Sequence, residues 1–317
     1  MAPRPPIDQL ALAERLARLV LAADLEGIDP APLLRAAASL GPDPGTELHV
    51  GVDHEFSTLA LQAHWPAGAA AIGRFLEVHR DAHPAQHTRL GEVRSRPGRI
   101  HLVEWRTVRG HDRLACLMSS VGPRPLAEDV DRAASVAALG DDARRTLAAV
   151  TGQLARGRSV CDAYSDLAHP DGDRVELRFV CANRGDQASA DTIRSLGEAG
   201  AALGIAAAQL RFIDQVHAIL THGRPSLAAV AAGGGALAAE LCIEYGELPW
   251  ETALRVVHGM YPDRQAGRRL GNLAGAAGGD RAMLRLTFGG GGLPAAQVWT
   301  ALAASPSGRE LRDIPVA

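Results

Sequence analysis

The fold prediction starts from one stretch of the chain, which reads VCDAYSDL at 160–167, HPDG at 169–172 and RVELRFVCA at 174–182. In the last run, Val175, Leu177 and Phe179 alternate with charged residues, which is the period of a β-strand with one buried face. The proline, aspartate and glycine between the two runs favour a tight turn. The stretch therefore predicts a β-hairpin, and apolar residues at helical spacing predict helices at 189–203 and 206–221 after it.

The same order of hairpin and helices recurs along the chain, as expected of a repeated unit. Hairpins are predicted at 46–65, 99–121, 160–182, 226–245 and 270–288. Helices are predicted at 7–24, 30–40, 68–79, 125–138, 141–155, 189–203, 206–221, 250–260 and 294–304. Residues 227–246 also align with residues 270–289 at an offset of 43, with six identities in twenty positions. We therefore expect the last two hairpins to be copies of one unit.

Five hairpins supply ten antiparallel strands, and a barrel is the closed arrangement that leaves no sheet edge exposed. Amphipathic helices between the hairpins would then cover the outside of the barrel. The predicted fold class is therefore α+β, with a ten-stranded antiparallel β-barrel built from repeated αββα units, helices outside, and one domain over 1–317. The alternative is a pair of α+β domains divided near 155–158.

The composition excludes several classes of function. The chain has 33 arginines, no lysine and a net charge of −3, so it lacks the basic excess that nucleic-acid binding requires. Schiff-base chemistry at a lysine amine is excluded as well. No apolar run reaches the roughly 18 residues of a membrane span, and no secretory leader is expected. Four widely spaced cysteines without a CxxC pair favour a cytoplasmic location, and the lack of lysine is typical of a GC-rich bacterial genome.

Alternation also predicts which side chains face the barrel interior. If the helices cover the apolar face of the 174–182 strand, then Arg174, Glu176 and Arg178 face inward. The same rule places a further set inside: Glu47, His49, Asp53, Gln62, His64, Glu240, Cys242, Glu244, Met283, Arg285 and Thr287. The second hairpin leaves two options open: Glu104 with Arg106, or His101 with Trp105. An interior lined by arginines and carboxylates suits an anionic ligand beside a proton acceptor.

The strand VELRF at 175–179, the polar loop after it, and the helix that ends in Leu203 and Gly204 resemble one known family. This family is the soluble aromatic prenyltransferases of the ABBA type, in particular the branch that prenylates phenols and naphthalenes. The segment 280–287 resembles that branch's last barrel strand. The resemblance implies a cytoplasmic transferase of bacterial secondary metabolism. Its partners would be two small molecules, an allylic diphosphate and an aromatic acceptor.

The resemblance also implies roles for the interior residues. Basic side chains would hold the diphosphate, aromatic rings would shield the allylic cation, and a carboxylate would take a proton from the acceptor. The expected proton acceptors are Glu176 and Glu244. The expected substrate-binding residues are Arg106, Arg113, Arg174, Arg178, Arg281, Arg285, His49, Gln62, His64, Trp105, Tyr164 and Tyr245. No protein metal site is expected, and Mg²⁺ is possible as a companion of the diphosphate.

Two other functions stay open at the level of sequence. One is a non-catalytic barrel that binds a small molecule. The other is a cysteine-dependent enzyme similar to the deiminases and amidinotransferases, which use fivefold β-rich repeats and a cysteine nucleophile. Cys181 and Cys242 are the candidates for that nucleophile.

Two further motifs carry weaker expectations. His79, His83 and His87 recur at the spacing that stacks ligands on a helix, but Pro84 interrupts that helix and argues against a metal site. The glycine run at 289–292 lacks the lysine of a phosphate-binding P-loop, so we expect it to form a turn.

Overall fold

The computed structural model of the chain describes residues 9–25, 31, 47–64, 99–108, 111–119, 130–131, 134–135, 137–154, 160–166, 174–180, 185–220, 225–233, 235–289 and 292–302. Ten strands lie in these ranges: β1 Glu47–Asp53, β2 Thr58–His64, β3 Arg99–Val108, β4 His111–Ser119, β5 Val160–Asp166, β6 Arg174–Val180, β7 Pro225–Gly233, β8 Ala236–Pro249, β9 Arg281–Gly289 and β10 Ala295–Ala301. The helices in the same ranges are α1 Gln9–Ala23, α2 Asp141–Leu154, α3 Gly185–Ala202, α4 Ala207–Ile219, α5 Trp250–Met260 and α6 Arg264–Ala277. For strands β3 to β6, the structure describes the backbone and the pairing between strands.

The strands pair antiparallel in one ring, in the order β1-β10-β9-β8-β7-β6-β5-β4-β3-β2, which closes into a barrel. β1 pairs with both β2 and β10, and β4 pairs with β5. These pairings join strands that precede 155–158 to strands that follow it, so the sheet is not divided there as the two-domain alternative requires. The predicted α+β class with an antiparallel sheet is confirmed.

One face of the sheet is buried against the helices. Val50 on β1 and Leu286 on β9 belong to a single apolar cluster that also contains Leu147 of α2 and Val256 of α5. Burying a side chain of this size stabilises the fold by about 1.5 to 3 kcal/mol. The cluster therefore attaches the helices to the outside of the barrel and leaves the opposite face of each strand to the interior.

The first strand of the fifth predicted hairpin is wrong, because residues 270–276 belong to helix α6. Leu270, Leu273 and Ala277 are buried at helical spacing. Asp263 caps the first turn by accepting a hydrogen bond from the Gln265 backbone N–H at 2.9 Å. Gly278 ends the helix in the left-handed conformation, with φ of 67°.

The predicted final helix at 294–304 is also wrong, because Ala295–Ala301 is strand β10. The fifth hairpin is therefore β9 with β10, which pair in register from Ala295 opposite Thr287 to Trp299 opposite Met283. The alignment of 227–246 with 270–289 consequently places two strands over a helix and a strand. The sequence identity between these segments does not reflect a structural repeat.

Gly289, the last residue of β9, and Gly292 are held by Gln209 of α4. The buried Gln209 amide donates to the carbonyl oxygens of Gly289, at 3.0 Å, and Gly292. Its own oxygen accepts from the Gly289 N–H at 2.6 Å. Because that N–H is already bonded, Gly289 is not available to cradle a phosphate. The middle of the predicted turn, at 290–291, lies outside the described residues.

Arg15 of α1 joins the ends of two other elements. Its guanidinium donates to the Leu302 carbonyl oxygen at 2.6 Å and to the Ala277 carbonyl oxygen at 3.1 Å. The first lies just after β10 and the second is the last residue of α6. The predicted helices at 30–40 and 68–79 lie outside the described residues, apart from Ala31.

Candidate functional site

Strand register assigns positions to the inner and outer faces of the barrel. Residues opposite one another on antiparallel strands lie on the same side of the sheet, and the sides alternate along each strand. On β10, Val298 belongs to the apolar cluster against the helices, so the adjacent Trp299 lies on the inner face. Each inner-face residue is opposite another inner-face residue on the next strand. Tracing these facing positions from Trp299 through all ten strands leads back to the inner face of β10.

Most of the predicted site residues occupy inner-face positions. Glu104 and Arg106 are opposite Gln62 and Ala60 on β2, which decides the ambiguity of the second hairpin in favour of this pair. The predicted residues at inner positions are His49, Gln62, His64, Arg106, Arg113, Tyr164, Arg174, Glu176, Arg178, Glu244 and Arg285. Their roles in binding and catalysis stay predictions.

Two predicted site residues lie on the outer face, and a third lies on the inner-face side at the exposed end of its strand. Trp105 is opposite Leu61, a member of the apolar cluster, so its position is on the outer face. Tyr245 is fully buried in the same cluster, because it follows the inward-facing Glu244 by one residue. Arg281 is exposed at the first position of β9. Neither aromatic residue is therefore placed to shield a cation inside the barrel.

An ion pair links β8 and β9 inside the barrel. Glu244 and Arg285 are directly opposite in register, with 3.4 Å between Glu244 Oε2 and Arg285 Nη2. Their side chains are 12% and 4% exposed. A charged group shielded from water in this way needs a partner of opposite charge. The pair compensates the charge of the one arginine that the structure shows buried within the interior.

The register pairs two further interior arginines with acids. Arg174 on β6 is opposite Asp166 on β5, and Arg178 is opposite Asp162. Opposite charges at facing positions of a sheet stabilise it, whereas like charges at such positions destabilise it. These acids were absent from the predicted site, although period-2 alternation in VCDAYSDL could have found both of them.

Arg106 and Arg113 form the exception in this charge pattern. They are opposite each other on β3 and β4, and Arg106 has Ala60 on its other side. Like charges at facing positions of a sheet are unfavourable, and an anion would relieve the repulsion between two such positions. A diphosphate would compensate both charges.

Trp299 of β10 is a further interior residue, and sequence analysis missed it. It is 1% exposed and lies opposite Gly51 on β1. A Cβ atom at Gly51 would come within 2.4 to 2.6 Å of three atoms of the indole ring. The ring therefore lies directly against the β1 backbone. The β-branched and aromatic residues Val298, Trp299 and Thr300 favour a strand, but residues 294–304 were predicted to form a helix.

Asp53 has an inner-face position at the end of β1, but its carboxylate is used by the β1–β2 turn. It accepts hydrogen bonds from the Ser57 N–H at 2.7 Å, the Ser57 hydroxyl at 2.5 Å and the Thr58 N–H at 3.1 Å. These bonds give the Asp53 carboxylate a structural role in the turn, as is common for aspartates in turns.

Within the described ranges, no group of three or more histidine, cysteine, aspartate or glutamate side chains could hold a metal ion. The histidines at 79, 83 and 87 lie outside those ranges. Among the helices that the structure describes, none is long and apolar enough to cross a membrane.

No protein-family model matches the chain, and no curated protein sequence matches it. Solved structures do share its architecture. The match with a 6-dimethylallyl tryptophan synthase covers 93% of this chain and 96% of the length of that protein, at 16% identity and a TM-score of 0.65. The 6-dimethylallyltryptophan synthase of Micromonospora olivasterospora, in complex with DMASPP and Trp, covers 92% with 96%, at 16% identity and a TM-score of 0.61. The 5-dimethylallyltryptophan synthase of Streptomyces coelicolor covers 94% with 98%, at 13% identity and a TM-score of 0.64.

These neighbours are aromatic prenyltransferases of the ABBA type, so the chain shares the fold that the sequence resemblance implied. The resemblance favoured the branch that prenylates phenols and naphthalenes, whereas these neighbours are named for tryptophan. At identities this low, the likeness establishes the fold, and the chemistry has to be argued from the interior residues.

Proposed function

We propose that this chain is an aromatic prenyltransferase that moves an allylic prenyl group from its diphosphate to an aromatic acceptor inside the barrel. The observation that carries the proposal is the charge register of the inner face. Arg174, Arg178 and Arg285 each have a carboxylate at the facing position, whereas Arg106 and Arg113 face each other. The fold shared with aromatic prenyltransferases supports the same assignment.

In this proposal, Arg106 and Arg113 hold the donor diphosphate. A guanidinium group binds phosphate oxygens in pairs through its planar fork, and two of them stabilise the negative charge that develops on the leaving group. Arg285 is not assigned to the diphosphate, because Glu244 already compensates its charge. Arg174 and Arg178 extend the positive potential along β6 more weakly, since each faces an aspartate.

The proposed reaction is a substitution on the aromatic ring. The bond between the allylic carbon and the diphosphate oxygen breaks, the bonding electrons leave with diphosphate, and an allylic cation remains. A ring carbon of the acceptor donates an electron pair to form the new carbon–carbon bond. Loss of one proton then restores aromaticity, so the products are the prenylated acceptor, diphosphate and one proton on the base.

Glu176 is the proposed proton acceptor. It is opposite Tyr164 on β5 and Ala231 on β7, without an arginine at either facing position. Glu244 is the weaker candidate, because its carboxylate is already the ion-pair partner of the buried Arg285. Tyr164 is the one predicted aromatic shield whose position is on the inner face.

Dimethylallyl diphosphate is the proposed donor, and tryptophan or a related indole is the proposed acceptor. Two structural neighbours are described in complex with DMASPP and Trp, the second being the enzyme of Streptomyces coelicolor. We also propose that residues 1–317 act as one domain around the barrel. No step of this chemistry is assigned to a protein-bound metal, and Mg²⁺ would enter with the diphosphate.

The cysteine-dependent alternative has less support. Cys242 is buried on the inner face, and Cys181 lies outside the described residues. The non-catalytic barrel differs from our proposal only in lacking turnover, so an assay of products distinguishes the two.

The test is incubation of the protein with dimethylallyl diphosphate and tryptophan, other indoles or phenols, with detection by mass spectrometry. We expect an acceptor that gains one dimethylallyl group. The Arg106→Gln, Arg113→Gln double variant should lose at least 100-fold in kcat/KM, since two contacts to the developing charge are removed. Arg255→Gln, at an exposed position of α5, serves as the control. Folded protein that forms no prenylated product with any acceptor would contradict the proposal.

A further inference from the structure

One part of the inner wall is accessible to solvent. Thr287 on β9 and Gln297 on β10 have inner-face positions, and both residues are partly exposed. Other inner positions, such as Ala60, Ala229 and Cys242, are buried. Thr287 is two residues from the end of β9, and Gln297 is two residues from the start of β10. The accessible part of this wall therefore lies near the end of the barrel at which β9 connects to β10.

This accessible wall lies across the barrel from the proposed diphosphate site. In the closed ring, β9 and β4 are five strands apart in either direction, so they form opposite walls. Arg106 is two residues from the end of β3, and Arg113 is two residues from the start of β4. The pairing of β10 with β1 and of β2 with β3 places these strand ends at the same end of the barrel as Thr287 and Gln297. Two substrates bound at the two walls would therefore meet inside the barrel.

The charges around Gln297 are mostly negative. Gln297 is opposite Asp53 on one side and Arg285 on the other. Arg285 is the ion-pair partner of Glu244 and its side chain is 4% exposed, so its charge is compensated and shielded from a ligand. Asp53 and Glu240 are partly exposed inner-face residues at the same end of the barrel. These four groups carry three negative charges and one positive charge, so this wall attracts a cation and repels a carboxylate.

Other arginines of the inner face do not reverse this balance. Arg281 is exposed at the first position of β9, six residues from Thr287, which is about 20 Å along the strand. Charges exposed to water are largely screened over such a distance, because the Debye length is about 8 Å at physiological ionic strength. Arg174 and Arg178 on β6 each face an aspartate. The wall around Gln297 therefore stays negative.

We infer that the wall formed by Thr287 and Gln297 binds the aromatic acceptor and selects acceptors that carry an amine and no carboxylate. This inference rests on the proposed function and narrows its class of acceptor. The Gln297 amide oxygen and the Thr287 hydroxyl accept hydrogen bonds from N–H groups, and the nearby carboxylates stabilise an ammonium group. A carboxylate on the acceptor would be repelled by Asp53 and Glu240. An indole with an amine side chain is then preferred to tryptophan, and tryptophan is preferred to an indole acid.

The test compares three acceptors that share the indole ring: tryptamine, tryptophan and indole-3-propionate. Each is incubated with wild-type protein and dimethylallyl diphosphate, and kcat/KM is measured from the prenylated product by liquid chromatography with mass spectrometry. We expect kcat/KM for tryptamine to exceed that for indole-3-propionate by about tenfold or more, with tryptophan between them. This ratio should fall as the salt concentration rises, because the preference is electrostatic. A preference based on shape alone would not change with salt.

Two variants change the charge of this wall. Gln297→Arg adds a cation beside Asp53 and should lower the ratio of tryptamine to indole-3-propionate by about tenfold. Glu240→Gln removes one carboxylate and should lower the ratio by about threefold. Glu251→Gln removes a carboxylate from an exposed position of α5 and should keep the wild-type ratio. Circular dichroism identifies the folded variants, and Glu240→Gln decides the question if Gln297→Arg is unfolded.

The outcomes separate the two proposals. If wild-type protein prenylates no indole or phenol at all, the proposed function fails and the inference fails with it. If products form and indole-3-propionate is used as well as tryptamine, only the inferred selectivity is wrong. An unchanged ratio in the folded Gln297→Arg and Glu240→Gln variants would also overturn the inference, because the selectivity would then come from another part of the barrel.

Discussion

Glu244 and Arg285 form an ion pair inside the barrel, with 3.4 Å between their charged atoms and little exposure of either side chain. Sequence analysis predicted separate roles for these two residues, with Glu244 as a proton acceptor and Arg285 as a substrate-binding residue. Because each charge compensates the other, we expect the pair to stabilise the observed register of β8 against β9. In the proposed reaction, the charges that contact the substrates are then those on β3, β4 and β6.

Removing one member of this pair is expected to destabilise the protein strongly. Glu244→Gln leaves the buried Arg285 without its countercharge, which should lower the free energy of unfolding by about 3 kcal/mol. The Glu244→Gln, Arg285→Met double variant should recover part of the loss. Urea denaturation measures both. Glu251→Gln, which breaks the exposed pair with Arg255 on α5, should cost less than about 1 kcal/mol, and equal costs at the two sites would contradict this view.

The amide of Gln209 is expected to stabilise the β9–β10 connection. Gln209→Leu removes the hydrogen bonds of a buried amide to Gly289 and Gly292, and it leaves these backbone groups without that partner. We expect a loss of about 2 kcal/mol in the free energy of unfolding. Gln215→Leu on the exposed side of the same helix is the matched control and should have little effect. The prediction is wrong if thermal or urea denaturation gives the same stability for both variants.

Arg15 is expected to contribute to stability through its two carbonyl contacts. Arg15→Met keeps the aliphatic part of the side chain and removes the charged hydrogen bonds to Ala277 and Leu302. Each charged hydrogen bond is worth about 1.5 to 3 kcal/mol, so a loss of at least 1.5 kcal/mol is expected. Arg18→Met, on the same helix, affects only an exposed pair with Glu14 and should be nearly neutral. Urea denaturation that finds Arg15→Met as stable as the control would refute the contribution.

Tyr261 should make the stability depend on alkaline pH. Burial raises the pKa of Tyr261 to about 12, and the nearby Glu55 carboxylate adds to this effect. The ring also stacks on His54 with 3.9 Å between ring centroids. An unfolded tyrosine loses its proton near pH 10, so the unfolded state binds fewer protons between pH 10 and about 12. The stabilisation is therefore complete below pH 10 and is lost as the pH rises towards 12.

The measurement for Tyr261 is the melting temperature as a function of pH in wild-type protein and Tyr261→Phe. The variant should show a shallower loss of stability above pH 10, and its tyrosine absorbance should lack the ionisation near pH 12. Identical pH profiles for the two proteins would show that Tyr261 titrates normally.

The antiparallel sheet could be predicted because charged and apolar residues alternate strictly in segments such as RVELRFV. The fifth hairpin could not, because residues near Leu270 are apolar with glycines between them, which weakens both periods. The glycines of α6 at 267, 271 and 275 lie on its more exposed side, where they cost helix stability. Predicting a strand over 270–276, in line with the alignment at an offset of 43, removed a helix and, with it, the correct position of β10.

The interior site could be predicted in part for the same reason. Arg178 and Glu176 follow from alternation alone, once one face of the strand is assigned to the helices. Tyr245 was assigned to the interior for its aromatic ring, although its own position in β8 is on the opposite face. The facing of Arg106 and Arg113 depends on register between strands, which a single sequence does not specify.

The most direct test of the central claim is the affinity of dimethylallyl S-thiolodiphosphate for wild-type protein and for the Arg106→Gln, Arg113→Gln variant, measured by isothermal titration calorimetry. We expect wild-type protein and the Arg255→Gln control to bind it equally, and the double variant to bind it at least tenfold more weakly. Unchanged affinity in the folded double variant would contradict the assignment of the diphosphate to the paired arginines of β3 and β4.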